Sequence, residues 1–187
     1  VWVIGGLPDW TVNVNQVPWK SRDKWVDLTK KWHHIPGEVS DVFYYWEDDY
    51  YLCKPVESIP LVSVPWRLPK NGTGTEYQET LVATRNILVA AGIEHPLSFD
   101  AHVPMPVEKD RIPLHLDSGR PVRFRTLTGN YSTLPVVAGR DVKVRTQDQL
   151  VARVGGPFLS SHPMSFEKSG VAGYLVRLFP DPCEYEA

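Results

Sequence analysis

Three carboxylates in succession, Glu47, Asp48 and Asp49, follow directly on the apolar and aromatic run Val42-Phe43-Tyr44-Tyr45-Trp46. Burying one carboxylate is costly unless it is paired or bound to a cation, and adjacent carboxylates also repel each other. An acidic cluster at the end of a buried strand is therefore a candidate divalent-metal site. Hard carboxylate oxygens suit Mg2+ or Mn2+ rather than zinc. A second candidate lies in residues 93–105, where Asp100 and His102 stand two positions apart. On an extended chain both side chains would project to one face, as base, orienting pair or metal ligands. A hydrogen-bonded pair in a loop is the plainer alternative. A third is the run containing Arg120, Arg123 and Arg125. Arg123 and Arg125 share a face if this run is a strand, and guanidinium groups match phosphate geometry. A solvated basic edge explains the same pattern equally well.

The acidic run is expected to be positioned by a β-α-β unit. Residues 1–4 read as a short buried strand ended by Gly5 and Gly6, and residues 12–17 alternate as a second strand. A helix capped by Ser21 is predicted from Trp25, Leu28, Trp32 and Ile35, which recur at three- and four-residue spacing, with Pro36-Gly37 as its end. The strand at 42–46 comes next. This order argues for a parallel sheet covered by helices, in which ligands bind beyond the carboxyl ends of the strands. Further on, residues 61–66 read as a strand and 76–91 as a helix with Thr75 and Gln78 as its capping box and Gly92 as its stop. Tyr77, Leu81, Leu88 and Ala91 would form its core stripe. The remainder predicts a helix over 107–116 interrupted by Pro113, a turn at Thr128-Gly129-Asn130, a hairpin or meander over 134–146 around Ala138-Gly139-Arg140-Asp141, and a last helix over 165–179.

The 187 residues fit one domain, and 42% hydrophobic with 22% charged residues is the composition of a soluble globular protein. No apolar run approaches the length of a membrane span. A net charge of −2 gives no footprint for non-specific DNA binding, although a local basic groove is compatible with it. Cys53 and Cys183 have no ligand partners at metal spacing and read as free thiols of a reducing cytosol, with a disulfide as the alternative. Asn71-Gly-Thr and Asn130-Tyr-Ser match the glycosylation acceptor pattern by chance.

Taken in order, several segments resemble a group of small phage-encoded glycosyltransferases that are similar to the Stealth family of sugar-phosphate transferases. They are Val1-Trp-Val-Ile-Gly-Gly-Leu-Pro-Asp-Trp10, Asp23-Lys24-Trp25, and Val39-Ser-Asp-Val-Phe43 leading to Glu47-Asp48-Asp49. Asp100-Ala-His102-Val-Pro-Met, Arg123-Phe-Arg125-Thr-Leu-Thr-Gly-Asn130 and Phe179-Pro-Asp-Pro-Cys-Glu-Tyr-Glu186 follow, so the resemblance spans nearly the whole chain. It implies a GT-A-like, mostly parallel mixed sheet flanked by helices, a nucleotide-sugar donor such as a UDP-sugar, and Mn2+ or Mg2+. Relatives carry a βα unit before the first strand that helps hold the nucleotide base, and this unit is expected to be missing from the front of the chain. The family's strand-end motif is Asn-Asp-Asp, and Glu47 stands in place of the Asn.

By the same resemblance, Asp48 and Asp49 are the expected metal ligands, with His102 completing the shell. Lys24, Arg123 and Arg125 are expected to bind the donor phosphates, and Asp100 and His102 to be catalytic, with Asp100 the first candidate base. The expected acceptor is a virion protein, a modified base of phage DNA or a glycan, met in the cytoplasm of a bacterial host. Two alternatives remain at this point. One is sugar-1-phosphate transfer of the Stealth type. The other is a non-catalytic carbohydrate-binding or virion-associated module that uses the seven tryptophans as a stacking platform.

Overall fold

The computed structural model describes residues 1–21, 30–69, 74–116, 121–181 and 184. The helix predicted from Ser21 falls largely on 22–29, as does Lys24, and so lies outside the described residues. Just beyond it, Lys31–His34 forms a 3-10 turn that buries Trp32 against Tyr45 and Phe124.

The described chain is a mixed α/β fold built from small sheets and four α-helices. In chain order the strands are β1 (Trp2–Ile4), β2 (Asn15–Val17), β3 (Val42–Tyr45), β4 (Tyr50–Leu52), β5 (Leu61–Ser63), β6 (Met105–Glu108), β7 (Val136–Ala138), β8 (Lys143–Val144) and β9 (Phe158–Ser161). The helices are α1 (Glu76–Ala90), α2 (Phe124–Tyr131), α3 (Gln147–Val151) and α4 (Val171–Leu178). Three pairings run parallel, β1 with β2, β5 with β7 and β8 with β9. Two run antiparallel, β3 with β6 and β4 with β9.

Helix α1 forms where local signals predict it. Thr75 Oγ1 accepts from the Gln78 backbone at 3.3 Å, and Gln78 Oε1 accepts from the Thr75 backbone at 3.0 Å, which satisfies two of the helix's orphan donors. Gly92 ends it at φ +89°, a conformation that favours glycine. Its inward face is Thr80, Leu81, Thr84 and Leu88. Ala91 lies past the last turn and is exposed, so it drops out of the expected stripe.

Other expectations are corrected. β3 is not buried on both faces of a parallel sheet: Val42 and Tyr44 are 50% and 51% exposed, and its partner β6 runs the other way. An aromatic run whose alternate residues face solvent is the signature of an antiparallel strand with one wet face. β1 is likewise partly exposed rather than buried. The segment 107–116 is no helix. Pairing with β3 holds Met105–Glu108 extended, and only the short 3-10 turns Lys109–Arg111 and Leu114–Leu116 follow. The hairpin over 134–146 does not form, because β7 and β8 each join a different sheet. The last helix starts at Val171 rather than 165, after a 3-10 turn at Pro163–Ser165 and a left-handed Gly170 at φ +81°.

The main core gathers Trp32, Leu61, Leu88, Phe99, Met105, Val107, Phe124 and Leu127. Helix α2 lies against it, with Gly129 set so close to Phe99 that an added Cβ would stand 2.4 Å from the ring. A second cluster, Cys53, Val144, Leu150, Leu159 and Val171, packs β4, β8 and β9 against α3 and α4. Cys53 is a buried free thiol, and Cys183 lies outside the described residues. Among the described residues, no helix is long and apolar enough to cross a membrane.

Candidate functional site

Arg123 and Arg125 sit at the start of a helix rather than on a strand, with Arg123 at the N-cap of α2 and Arg125 in its first turn. The expected turn at Thr128-Gly129-Asn130 is part of the same helix. Guanidinium groups beside the positive end of a helix dipole are unfavourable unless carboxylates compensate them. Here Asp100 and Glu47 do so.

Asp100 is 2% exposed and closes an ion pair with Arg123, whose Nε donates to Oδ1 at 3.1 Å while a second guanidinium nitrogen donates to the same oxygen. The Tyr77 hydroxyl donates to Oδ2. Burial opposes ionisation of Asp100, but the charges of Arg123 and His102 and the Tyr77 hydrogen bond outweigh it and bring the carboxyl to a pKa of about 2. Burial and the adjacent carboxylate raise the Tyr77 phenol above its usual range, so it keeps its proton. The Thr84 hydroxyl accepts the Arg123 backbone N–H at 2.8 Å, which ties the start of α2 to α1.

Arg125 is 4% exposed and lies over the Tyr50 ring, 5.5 Å from its centroid. It donates to the Tyr50 hydroxyl and, at 2.7 Å, to the Val103 carbonyl, and it stands 3.9 Å from Glu47 Oε1. Its Nε is buried and has no partner. The solvated basic edge is thus excluded for Arg123 and Arg125, since Arg125 is buried, Arg123 is largely covered, and both are held by named partners. Arg120 lies outside the described residues. A small recess opens beside them, lined by Trp32, Tyr45, Glu47, Val122, Arg123, Phe124 and Arg125.

His102 adopts φ +49°, which is uncommon for a residue with a side chain and marks stored backbone strain. The chain there is not extended, so Asp100 and His102 take different partners. His102 Nδ1 lies 2.8 Å from Asp141 Oδ1, and its ring meets Tyr50 edge-on at 6.3 Å. Asp141 also receives Arg67 on Oδ2 at 2.6 Å and the Lys143 backbone N–H on Oδ1 at 3.0 Å. Burial would raise the Asp141 pKa, but the hydrogen bond and charge of His102, followed by Arg67 and Lys143, hold it well below the usual carboxylate range.

At the acidic strand end, Asp48 is exposed. Asp49 Oδ2 accepts from Lys143 Nζ at 2.9 Å and from Ser160 Oγ at 3.4 Å, while its Oδ1 is buried with no partner. Glu47 accepts from the Tyr45 hydroxyl at 3.3 Å. Among the described residues, no three or more His, Cys, Asp or Glu side chains form a group able to hold a metal alone. Mg2+, however, is commonly held by one or two carboxylates together with substrate phosphates. Asp48 faces solvent, and Asp49 Oδ1 is the one oxygen of its carboxylate without a partner.

Contacts therefore run continuously from Asp49 through Lys143 and Asp141 to His102, Tyr50, Arg125 and Glu47. Asp100 and Arg123 form a second, adjoining unit. Tyr50, Tyr77, Asp141 and Lys143 were not among the expected site residues. Tyr77 was read as core stripe and Asp141 as a hairpin tip, and neither carries a local signal of its role. The second glycosylation match, Asn130, has an internal task, since its amide accepts from Leu97 N and donates to Leu97 O and Thr126 O. Comparison with family models, with curated proteins and with solved structures finds no match.

Proposed function

We propose that the protein is a metal-dependent glycosyltransferase that moves a sugar from a nucleotide-sugar donor, a UDP-sugar in the first instance, to a hydroxyl acceptor. We further propose that its small sheets and helices belong to a GT-A-like scaffold. The supporting observation is the meeting of the acidic strand end with Arg125, 75 residues from Tyr50, at the buried arginine's contacts with Tyr50 and Glu47. A leaving nucleoside diphosphate needs both cationic charge and a pre-formed donor, and a water-poor site makes each more effective.

In this reading Asp48 and Asp49 would hold Mg2+ or Mn2+, which would supply positive charge against the charge developing on the diphosphate. Arg125 lines the recess beside Glu47 and keeps one buried guanidinium nitrogen without a hydrogen-bond partner, so its charge is incompletely engaged, whereas that of Arg123 is engaged by Asp100. Asp100 is a poor base, because a carboxylate with a pKa of about 2 and partners on both oxygens has little affinity for a proton. The base is His102. Asp100 instead anchors the start of α2. Acceptors consistent with a phage origin are a virion protein, a modified DNA base or a glycan in the host cytoplasm.

The test is incubation with a panel of nucleotide-sugars and Mn2+, followed by intact-mass analysis of virion proteins and digested DNA. A gain of one hexose supports the reading. A gain of a hexose and a phosphate reassigns the protein to sugar-1-phosphate transfer. Equal turnover in chelator and in Mn2+ removes the metal. Calorimetric binding of glycans with no response to UDP-sugar and Mn2+ makes it a non-catalytic carbohydrate module.

A further inference from the structure

We infer that Asp141 is a positioning residue that fixes the His102 imidazole with its proton on Nδ1, leaving Nε2 as the proton acceptor that faces the acceptor hydroxyl. The base role rests on the glycosyl-transfer reading. The tautomer and its cause do not.

An ionised carboxylate can only accept hydrogen bonds, so the 2.8 Å contact between His102 Nδ1 and Asp141 Oδ1 requires the proton to be on Nδ1. Asp141 is itself immobilised. Arg67 holds one oxygen, the Lys143 N–H shares the other, and Arg153 donates to the Asp141 carbonyl at 2.6 Å. These contacts keep it ionised and fix its plane. The His102 backbone is also held in place: Ala101 and Val103 on either side are buried, and with the left-handed φ of +49° the ring meets Asp141. Strain of this kind persists only where neighbouring contacts over-determine it. Among the described residues, no hydrogen bond to the second ring nitrogen accompanies the one to Nδ1.

The acceptor oxygen forms a bond to the anomeric carbon while the bond from that carbon to the diphosphate oxygen breaks. The bonding pair leaves with the nucleoside diphosphate. The hydroxyl proton passes to His102 Nε2, and Asp141 stabilises the resulting imidazolium through Nδ1–H, as an orienting carboxylate does in other nucleophile–base pairs.

The test is a long-range 15N–1H imidazole correlation spectrum of the full chain, with the His102 signals assigned by their loss in His102→Gln. At a pH where the wild-type ring has lost its charge, it should show Nδ1–H and an unprotonated Nε2. Asp141→Asn should lose this single tautomer, Asp141→Glu should keep it, and Arg67→Met should keep it because the His102 contact survives. A wild-type ring protonated on Nε2, or an unchanged tautomer in Asp141→Asn, overturns the inference. The wild-type spectrum alone decides the matter should Asp141→Asn not fold. With UDP-sugar and Mn2+ as the probe, Asp141→Asn should lower kcat by at least about 100-fold with KM for the donor nearly unchanged. An Nδ1–H tautomer in a protein that turns over no nucleotide-sugar leaves Asp141's role intact and sinks the glycosyl-transfer reading.

Discussion

The acidic strand end and the Asp100–Arg123 pair are both carboxylate clusters next to arginine, yet they are built in opposite ways. Asp100 has both oxygens occupied and is enclosed. At the strand end Asp48 faces solvent and Asp49 keeps one oxygen without a partner. A carboxylate with every lone pair engaged holds the fold together and has little left for a ligand. One left incomplete retains binding capacity at some cost in stability. On that criterion, the acidic residue with the stronger electrostatic environment is the less suitable for chemistry.

The sharpest way to break this contrast is to remove one side of the closed pair. Asp100→Ala strands a buried guanidinium and should destabilise the protein by about 3–5 kcal/mol in urea unfolding. The double variant Asp100→Leu/Arg123→Met should be less destabilised than that single change, and a larger loss would mean the pair is no closed unit. Acid should act on the same pair. The folded carboxyl titrates at about 2, below its ordinary value of 3.8, so its stabilisation is complete above pH about 4 and is lost as pH falls toward 2. About 2 kcal/mol of stability should disappear across that window in wild type, with a smaller loss in Asp100→Asn. This is measured by urea titrations at stepped pH.

The open cluster should respond the other way. Asp49→Asn weakens the partner of a largely buried Lys143 and should cost about 1–2 kcal/mol. Asp48→Asn should change stability by no more than about 0.5 kcal/mol while abolishing Mn2+ binding in calorimetry. A Mn2+ isotherm for Asp48→Asn identical to that of wild type would sink the metal assignment.

How much was legible in advance depended on how local each signal was. Helix α1 was readable because its cap, face and stop all lie within its own residues. The partners of β3 and β7 were not, since strand direction is settled by segments about sixty to seventy-five residues away. The Arg123-Phe124-Arg125 alternation imitates a strand. What makes it a helix is tertiary: Phe124 and Leu127 enter the core, and Thr84 takes the Arg123 N–H. In the site, Asp49, Arg125 and His102 stood out by residue type, whereas Tyr77 and Asp141 gain meaning only from what the fold brings beside them.

The contact between Gly129 and Phe99 gives that last point a mechanical form. Phe99 immediately precedes Asp100, and Gly129 lies on the helix whose start carries Arg123 and the buried Arg125. With no side chain at 129, the helix can seat fully against the ring, and a methyl group there would act as a spacer under its far end. Gly129 is thus a depth gauge for the arginines. A position without charge or polar side-chain atoms sets how far two guanidinium groups reach toward their carboxylates.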